Sequence, residues 1–365
     1  MDKNIFKEKV SLYSLAKWTN GLAYKDIHFS SKGVPIIKIA ELKNGITAQT
    51  NYTNGIFSDS LKLHYDDLLF SWSGNPDTSI DIFRYRLENG WLNQHIFKVE
   101  PFINKDYFYY LMKSLKPTFV HMASNKQTTG LGHVTISDLK RLEVRLHNES
   151  EQQHIVDILG SIDDSIENNN KLQESLEDLA IKKYFSIADK AIGFTVLDDV
   201  VEIYDSKRIP LSSRERDSRK GSYPYYGATG ILDYVDDYIF SGEYILFAED
   251  GTVMDANGYP IVQLVTGDFW VNNHAHILTA KNGYTNYSLY VALKRLSVSK
   301  AVTGAVQLKI NQANLCALEL PKMDESTLDD FNHFIEPIFK RILHIRAENT
   351  KLNELKQLYL KKFFG

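Results

Sequence analysis

The chain has 365 residues, room for two domains, and its 43% hydrophobic content is enough for buried cores. A single cysteine, Cys316, excludes an intramolecular disulfide and a cysteine-cluster zinc site and fits a reducing compartment, and no run reaches the roughly 18 apolar residues of a membrane span. The net charge of −4 disfavours a uniformly basic polyanion binder, yet residues 1–147 carry 19 basic against 14 acidic side chains, 148–190 carry 4 against 10, 191–325 carry 12 against 17, and 326–365 carry 7 against 5. Binding a polyanion needs a positive patch, not a positive chain. The N-terminal segment is charged and lacks the long apolar core of a secretion signal, so a cytoplasmic location is expected.

In chain order, residues 1–147 read as a first α+β unit. Its β-type runs are Val34–Ile39, Asp67–Trp72, Asn93–Val99 and Leu142–Leu146, and a short helix is expected over 105–115. Residues 148–190 form a spacer whose helix runs from Glu151 to about Phe185, with apolar residues at Ile155, Ile158, Leu159, Ile162, Ile166, Leu172, Leu176 and Leu179. A second α+β unit follows over 191–325. A distal helix closes the chain over 326–365, periodic from about Asp329, with Phe331, Ile335, Ile338, Ile342, Ile345, Leu352, Leu355 and Leu358 as its stripe and Pro337 as its start or kink.

The two halves repeat one another. Thr129-Gly130 matches Thr303-Gly304, and Ile136, Val144 and Leu146 match Ile310, Leu318 and Leu320, all at an offset of 174. A period this long is not a solenoid but a duplicated domain-plus-helix. Two amphipathic helices bury their stripes by packing together, which predicts an antiparallel, coiled-coil-like spacer between pseudo-symmetric globular domains. Asn169 and Asn349 interrupt the two stripes at equivalent positions. They either face solvent or fix the register of the pair, as a buried asparagine can. A dyad-related pair of modules suits a ligand with two half-sites, of which duplex DNA is the commonest.

No catalytic constellation stands out. A phosphate-binding Gly-x-x-x-x-Gly-Lys-Ser/Thr loop is missing. Asn75-Pro76-Asp77 lacks the aromatic residue of an amino-methyltransferase tetrapeptide and reads as a turn. His274 and His276, expected to face one way on a strand, could bind a metal but lack an evident third ligand, so no metal site is expected. Glu249-Asp250-Gly251 reads as a strand-ending turn.

The segment Thr128-Thr129-Gly130-Leu131-Gly132-His133-Val134-Thr135-Ile136-Ser137-Asp138-Leu139 resembles the close of a target-recognition domain in type I restriction-modification specificity (S) subunits. Ser150-Glu151-Gln152-Gln153, opening a long helix, does too. Tyr223-Pro224-Tyr225-Tyr226-Gly227-Ala228-Thr229-Gly230-Ile231 resembles the tyrosine- and glycine-rich signature of the same domains, and Asp250-Gly251, Asn273-His274 and Val302-Thr303-Gly304-Ala305 follow in the expected order. The second half departs from the pattern: it has Val302 and Ala305-Val306 in place of Thr128 and Leu131-Gly132, and Thr327-Leu328-Asp329-Asp330 in place of the Glu-Gln-Gln run.

The resemblance implies a non-catalytic subunit that reads a bipartite, asymmetric target in double-stranded DNA. It implies partners: two methyltransferase (M) subunits, with restriction/translocase (R) subunits joining through the complex. S-adenosylmethionine, ATP and Mg2+ are expected in those partners and no cofactor in this chain. The rival reading is a protein–protein scaffold with two β-rich modules on a helical spacer. Base edges and phosphates are met by Arg, Lys, Asn, Gln, Ser and Thr. The candidate contacts in the first domain are therefore Ser71, Ser73, Asn75, Lys126, Gln127, Thr128 and Thr129. In the second they are Arg208, Arg214, Arg216, Arg219, Lys220, Tyr225, Lys300, Thr303 and Gln307. The acidic face of the central helix (Asp157, Asp163, Asp164, Glu167, Glu174, Glu177, Asp178) is either solvated or a dock for basic patches on the methyltransferases.

Overall fold

The computed structural model describes residues 6–47, 49–126, 130–304 and 307–365. The chain divides into two compact units, Met1–Glu167 with Asn349–Gly365, and Asn168–Glu348. Each unit therefore takes a part of both long helices.

In the first unit, strand Phe6–Ser11 pairs antiparallel with Glu143–His147, the strand that leads into the first long helix. Between them lies an antiparallel sheet in the order Ala16–Asn20, Ile96–Pro101, Leu68–Ser71, Asp81–Arg84. A smaller sheet joins Tyr52–Thr53, Val34–Ile37, Asn89–Leu92 and Lys62–His64. Helix Lys105–Ser114 begins where the Asn104 side chain accepts from the Asp106 and Tyr107 amides, both at 3.0 Å, satisfying two of the helix's orphan donors. Its Tyr107 and Phe108 bury against Phe70 and Phe119, and the same core takes in Ile155 and Leu159 from one long helix and Leu360 from the other.

The second unit repeats the plan. Gly193–Val196 pairs with Glu319–Lys322, the strand before the second long helix. A six-stranded sheet runs in the order Val201–Ile203, Ala275–Ala280, Phe240–Ala248, Val262–Val271, Lys220–Tyr226, Ile231–Val235. Helix Asn286–Leu293 opens on a reciprocal Thr285/Ser288 cap. Ala180 and Tyr184 of the first long helix and Phe331, Ile335, Phe339 and Ile342 of the second complete this core.

The long helices span Glu149–Ala188 and Glu325–Phe364, 40 residues each, or about 60 Å. Within the first unit Asp163 pairs with Lys356 at 2.5 Å, and the His154 ring meets Phe363 at 6.2 Å. Within the second, Glu177 pairs with Arg346 at 3.3 Å, and Tyr184 meets Phe331 at 5.8 Å. In both units, positions that rise along one helix fall along the other, so the segments are antiparallel.

Three expectations need correction. The second helix starts at Glu325, because Asp324 accepts from the Thr327 amide at 2.9 Å and its hydroxyl at 2.7 Å; Pro337 therefore lies inside the helix and does not open it. The stripes also drift. Leu172, Leu179, Leu355 and Leu358 are 40%, 47%, 40% and 66% exposed, while Ala180, Tyr184, Phe339 and Leu360 are buried. A helix with 3.6 residues per turn rotates a seven-residue pattern by about 20° per heptad, so residues at one end leave the face that those at the other end define.

The third concerns the repeat. Val134 and Ile310, both fully buried, occupy the same place: the Val134 amide donates to the Trp72 carbonyl and the Ile310 amide to the Glu249 carbonyl, each at 2.8 Å. Ile136, matched to Ile310 by sequence, is 40% exposed. The next residues, Thr135 and Asn311, each cap a short helix, Ile136–Arg141 and Gln312–Cys316. The second unit thus carries two extra residues before this point and two fewer after it, which restores the 174 offset at Val144/Leu318 and Leu146/Leu320.

Phe339 is fully buried, with Tyr287 stacked on it at 5.0 Å and Tyr290 edge-on at 5.7 Å. Phe339→Ala should lower the unfolding free energy by about 3–5 kcal/mol. Leu358→Ala should change it by less than about 0.5 kcal/mol. Urea denaturation of both variants checks the contrast.

Candidate nucleic-acid interface

In the first unit the candidate loop follows helix Lys116–Ser124. Gln127, Thr128 and Thr129 lie outside the described residues. Lys126 is exposed, but its ammonium is held at 2.5 Å by both oxygens of Asp138. That carboxylate also accepts from the Thr135 amide and hydroxyl, so Lys126 ties the loop to a helix cap. Burial alone would raise the Asp138 pKa, but these bonds hold it below the usual carboxylate value. Gly130 has φ of 83°, a left-handed conformation suited to glycine. Next, Gly132-His133 pairs with Ser73-Gly74.

Ser73 is buried and its hydroxyl meets His133 Nδ1 at 2.9 Å. Ser71 is fully buried, and its oxygen has no hydrogen-bond partner. Both serines therefore leave the set of direct contacts: their strands alternate the hydroxyls into the interior. Asn75 is exposed, but its carbonyl oxygen caps helix Pro76–Ser79 through the Asp77 and Thr78 amides. The residues that instead gather at the strand pair of Gly132 are Trp72, His95 and His133, with the His95 and His133 ring centroids 5.5 Å and 6.0 Å from Trp72. His95 and His133 were missed because nothing in their spacing signals that strand pairing joins them.

The second unit's basic run is largely spoken for. Arg216 meets Asp233 at 3.3 Å, Arg219 meets Asp236 at 2.9 Å, and Lys220 reaches Asp233 at 2.8 Å. Tyr225, fully buried, accepts from the Leu211 amide and also leaves the candidate contacts. Arg214 and Lys300 are exposed and make no ion pair among the described residues. Gln307 is exposed, and Thr303 joins Lys309 by two backbone bonds of 2.8 Å. Gly304 is left-handed at φ 92°, and a Cβ there would stand 2.1 Å from the Gln307 carbonyl oxygen.

Arg208 is not a surface cation. Its guanidinium bonds Glu249 at 2.6 Å and the Ala275 carbonyl at 2.9 Å, with Asp205 at 3.4 Å. His276 is buried between Asp205 and the Ile310 carbonyl, whereas His274 precedes the strand and pairs with Asp250 at 2.6 Å. The two histidines thus do not share a face as expected. Asp205, Glu249 and His276 offer ligand atoms within 4.8 Å of one another. Arg208 and Lys309 already place two positive charges on these carboxylates, so the group is a salt-bridge network. Burial raises the Asp205 and Glu249 pKa values, but the hydrogen bonds of His276 to the first and of Arg208 to the second bring both below the usual range.

The two units therefore present loops at equivalent places, between Gly130 and Val134 and between Gly304 and Ile310, on unlike supports. The type I restriction modification DNA specificity domain matches this chain twice, over residues 7–178 and 193–357, and the chain belongs to that family. It is 38% identical over 125 residues to a putative type I restriction enzyme specificity subunit of Haemophilus influenzae, a match spanning 34% of this chain and only 31% of that protein. It is 22% identical over 300 residues to the MjaIX specificity subunit of Methanocaldococcus jannaschii, covering 71% and 68% of the two chains. The crystal structure of the S subunit from M. genitalium shares the fold, with a TM-score of 0.54 and 18% identity over 100% of this chain and 98% of that one. Among the described residues, no helix is long and apolar enough to cross a membrane.

Replacing Ser71 by Ala removes a buried hydroxyl that lacks a partner, so stability should hold or rise by up to about 1 kcal/mol, with DNA binding unchanged. Thermal melts and a binding isotherm test this. Burial first, and then the charge of His133, lowers the His95 pKa; burial lowers that of His147 despite Glu151. A histidine depressed in the folded state contributes stability that is present above its ordinary value of about 6.5 and lost as the pH falls through its folded value. Stability should thus decline below about pH 6.5, and more shallowly in His147→Gln, as read by urea midpoints across pH.

Proposed function

We propose that this chain is a non-catalytic DNA-specificity subunit, whose first unit reads one half-site and whose second unit reads another. The observation that carries this reading is the duplicated frame with unlike polar loops at one equivalent place, in a chain of the DNA specificity family. Unlike loops on one frame imply unlike half-sites, hence an asymmetric target.

In the first unit, Lys126 and the Asn75 turn are the contacts, with Gln127, Thr128 and Thr129 added from the sequence alone. In the second, Lys300, Thr303 and Gln307 belong to the reading loop, and Arg214 serves the phosphates. Arg216, Arg219 and Lys220 serve phosphates only to the extent that DNA outcompetes Asp233 and Asp236.

Two methyltransferase subunits are the proposed partners, with restriction/translocase subunits joining through the complex. S-adenosylmethionine, ATP and Mg2+ are proposed to reside there. The exposed Leu179 and Leu358 sit at equivalent positions on the two helices and supply apolar anchors, each followed by a lysine pair, Lys182-Lys183 and Lys361-Lys362. Asn169 and Asn349 are proposed to fix the helix register.

Methylome sequencing of a host with and without the chain identifies the target. The purified chain with its methyltransferase should then bind that bipartite duplex and lose affinity when either half is scrambled. Affinity indifferent to both halves would instead favour the scaffold reading. Lys126→Ala with Gln127→Ala should weaken discrimination at one half-site only. Arg214→Ala should weaken binding to all duplexes and reduce the salt slope by about one, measured by anisotropy titrations from low to moderate salt.

A further inference from the structure

The second unit contains a charged centre that the reading of DNA by exposed loops does not use. His276 lies on strand Ala275–Ala280 and is 1% exposed. Its Nδ1 is 2.5 Å from Asp205 Oδ2, and its Nε2 is 2.9 Å from the Ile310 carbonyl oxygen. A carbonyl can only accept, so Nε2 must carry a hydrogen. Asp205 also accepts from the Ile277 amide at 3.0 Å and faces Arg208 at 3.4 Å, which keeps it a carboxylate, so Nδ1 must carry a hydrogen as well. An imidazole with two acceptors is an imidazolium.

The groups facing this ring come from every element around it. Asp205 and Arg208 lie on the turn after strand Val201–Ile203, Glu249 follows strand Phe240–Ala248, and Lys309 comes from the loop. Phe247 covers the ring at 6.5 Å. Asp250 with His274 stands beside the group. The centre holds the far end of the candidate reading loop at four points. The Ile310 carbonyl accepts from His276, the Ile310 amide donates to the Glu249 carbonyl at 2.8 Å, Lys309 Nζ pairs with Glu249 at 3.1 Å, and the Gly251 amide donates to the Leu308 carbonyl at 3.0 Å.

We propose that His276, as an imidazolium bridging Asp205 and the Ile310 carbonyl, is a positioning residue for the second half-site: it fixes Thr303, Lys309 and Ile310 on the sheet and so sets how strictly that half-site is read. This rests on the proposed reading of the loop as a DNA contact. Among the described residues, the first unit has no such histidine-centred group at the equivalent strand pair, and its loop is tied instead by Lys126 on Asp138. There His133 replaces Lys309, Ser73 replaces Asp250 and Trp72 replaces Glu249, and the Ser73 hydroxyl meets His133 Nδ1 at 2.9 Å.

Two substitutions separate the two bonds of His276. Gln places an amide N–H near the Nε2 position and keeps a donor for Ile310, while Asn places one near Nδ1 and keeps a donor for Asp205. The full chain is labelled with 15N, and the ring shifts of His276 and the hydrogen exchange of the Thr303, Lys309 and Ile310 amides are read without DNA. Two protonated ring nitrogens are expected, with exchange at those amides about tenfold faster in His276→Asn and within about threefold of wild type in His276→Gln, a tenfold change being about 1.4 kcal/mol of local opening. With the methyltransferase present, discrimination against single base-pair changes in the second half-site should fall about tenfold in His276→Asn, with the first half-site unaffected. One unprotonated ring nitrogen overturns the proposal, as does unchanged exchange in His276→Asn or an equal loss at both half-sites. If wild type binds no bipartite duplex, the proposed function fails, whereas the exchange data still decide whether His276 anchors the loop.

Discussion

The burial of both long helices by each unit is the constraint on which the rest of this structure depends. Neither helix is amphipathic enough over 40 residues to keep one straight apolar face. Each therefore contributes different residues to different cores: Ile155 and Leu159 to the first and Ala180 and Tyr184 to the second, with Leu360 and the Phe331–Ile342 group arriving from the other helix. A unit without the returning helix would lack one wall of its core. That requirement makes the chain's last segment part of its first unit and places the boundaries between compact units inside the helices rather than at their ends.

Much of this frame was legible in the sequence. The repeat, the two long helices and their approximate limits follow from residue matches and from apolar periodicity, which are local properties of the chain. Leu172 and Leu179 were misplaced because a spacing of three or four residues describes a face only over a few turns. Ile136 was matched to Ile310 because identity of residue type outweighed a compensated shift of two residues, which only strand and cap equivalence reveals.

The candidate interface was less legible, for a definite physical reason. A run such as Arg214 to Lys220 looks basic when counted along the chain, but its partners Asp233 and Asp236 come from the next strand. Arg208 and His276 are bound to carboxylates 41 and 71 residues away. Free charge, not charge, attracts a phosphate, and the pairing that consumes it is a tertiary property. Loop glycines survive this objection better, because the left-handed turn at Gly130 or Gly304 is a backbone demand that composition can signal.

The paired length changes around Ile310 carry a consequence for how such a chain can vary. The strand pair Gly193–Val196 with Glu319–Lys322 keeps the same relation to its long helix that Phe6–Ser11 with Glu143–His147 keeps to the other, although the segment between Gly304 and Leu318 is differently apportioned from that between Gly130 and Val144. A residue gained by the loop is recovered from the short helix behind it. Length changes in the loop can thus accumulate on the sheet while the frame of paired strands and long helices stays in phase.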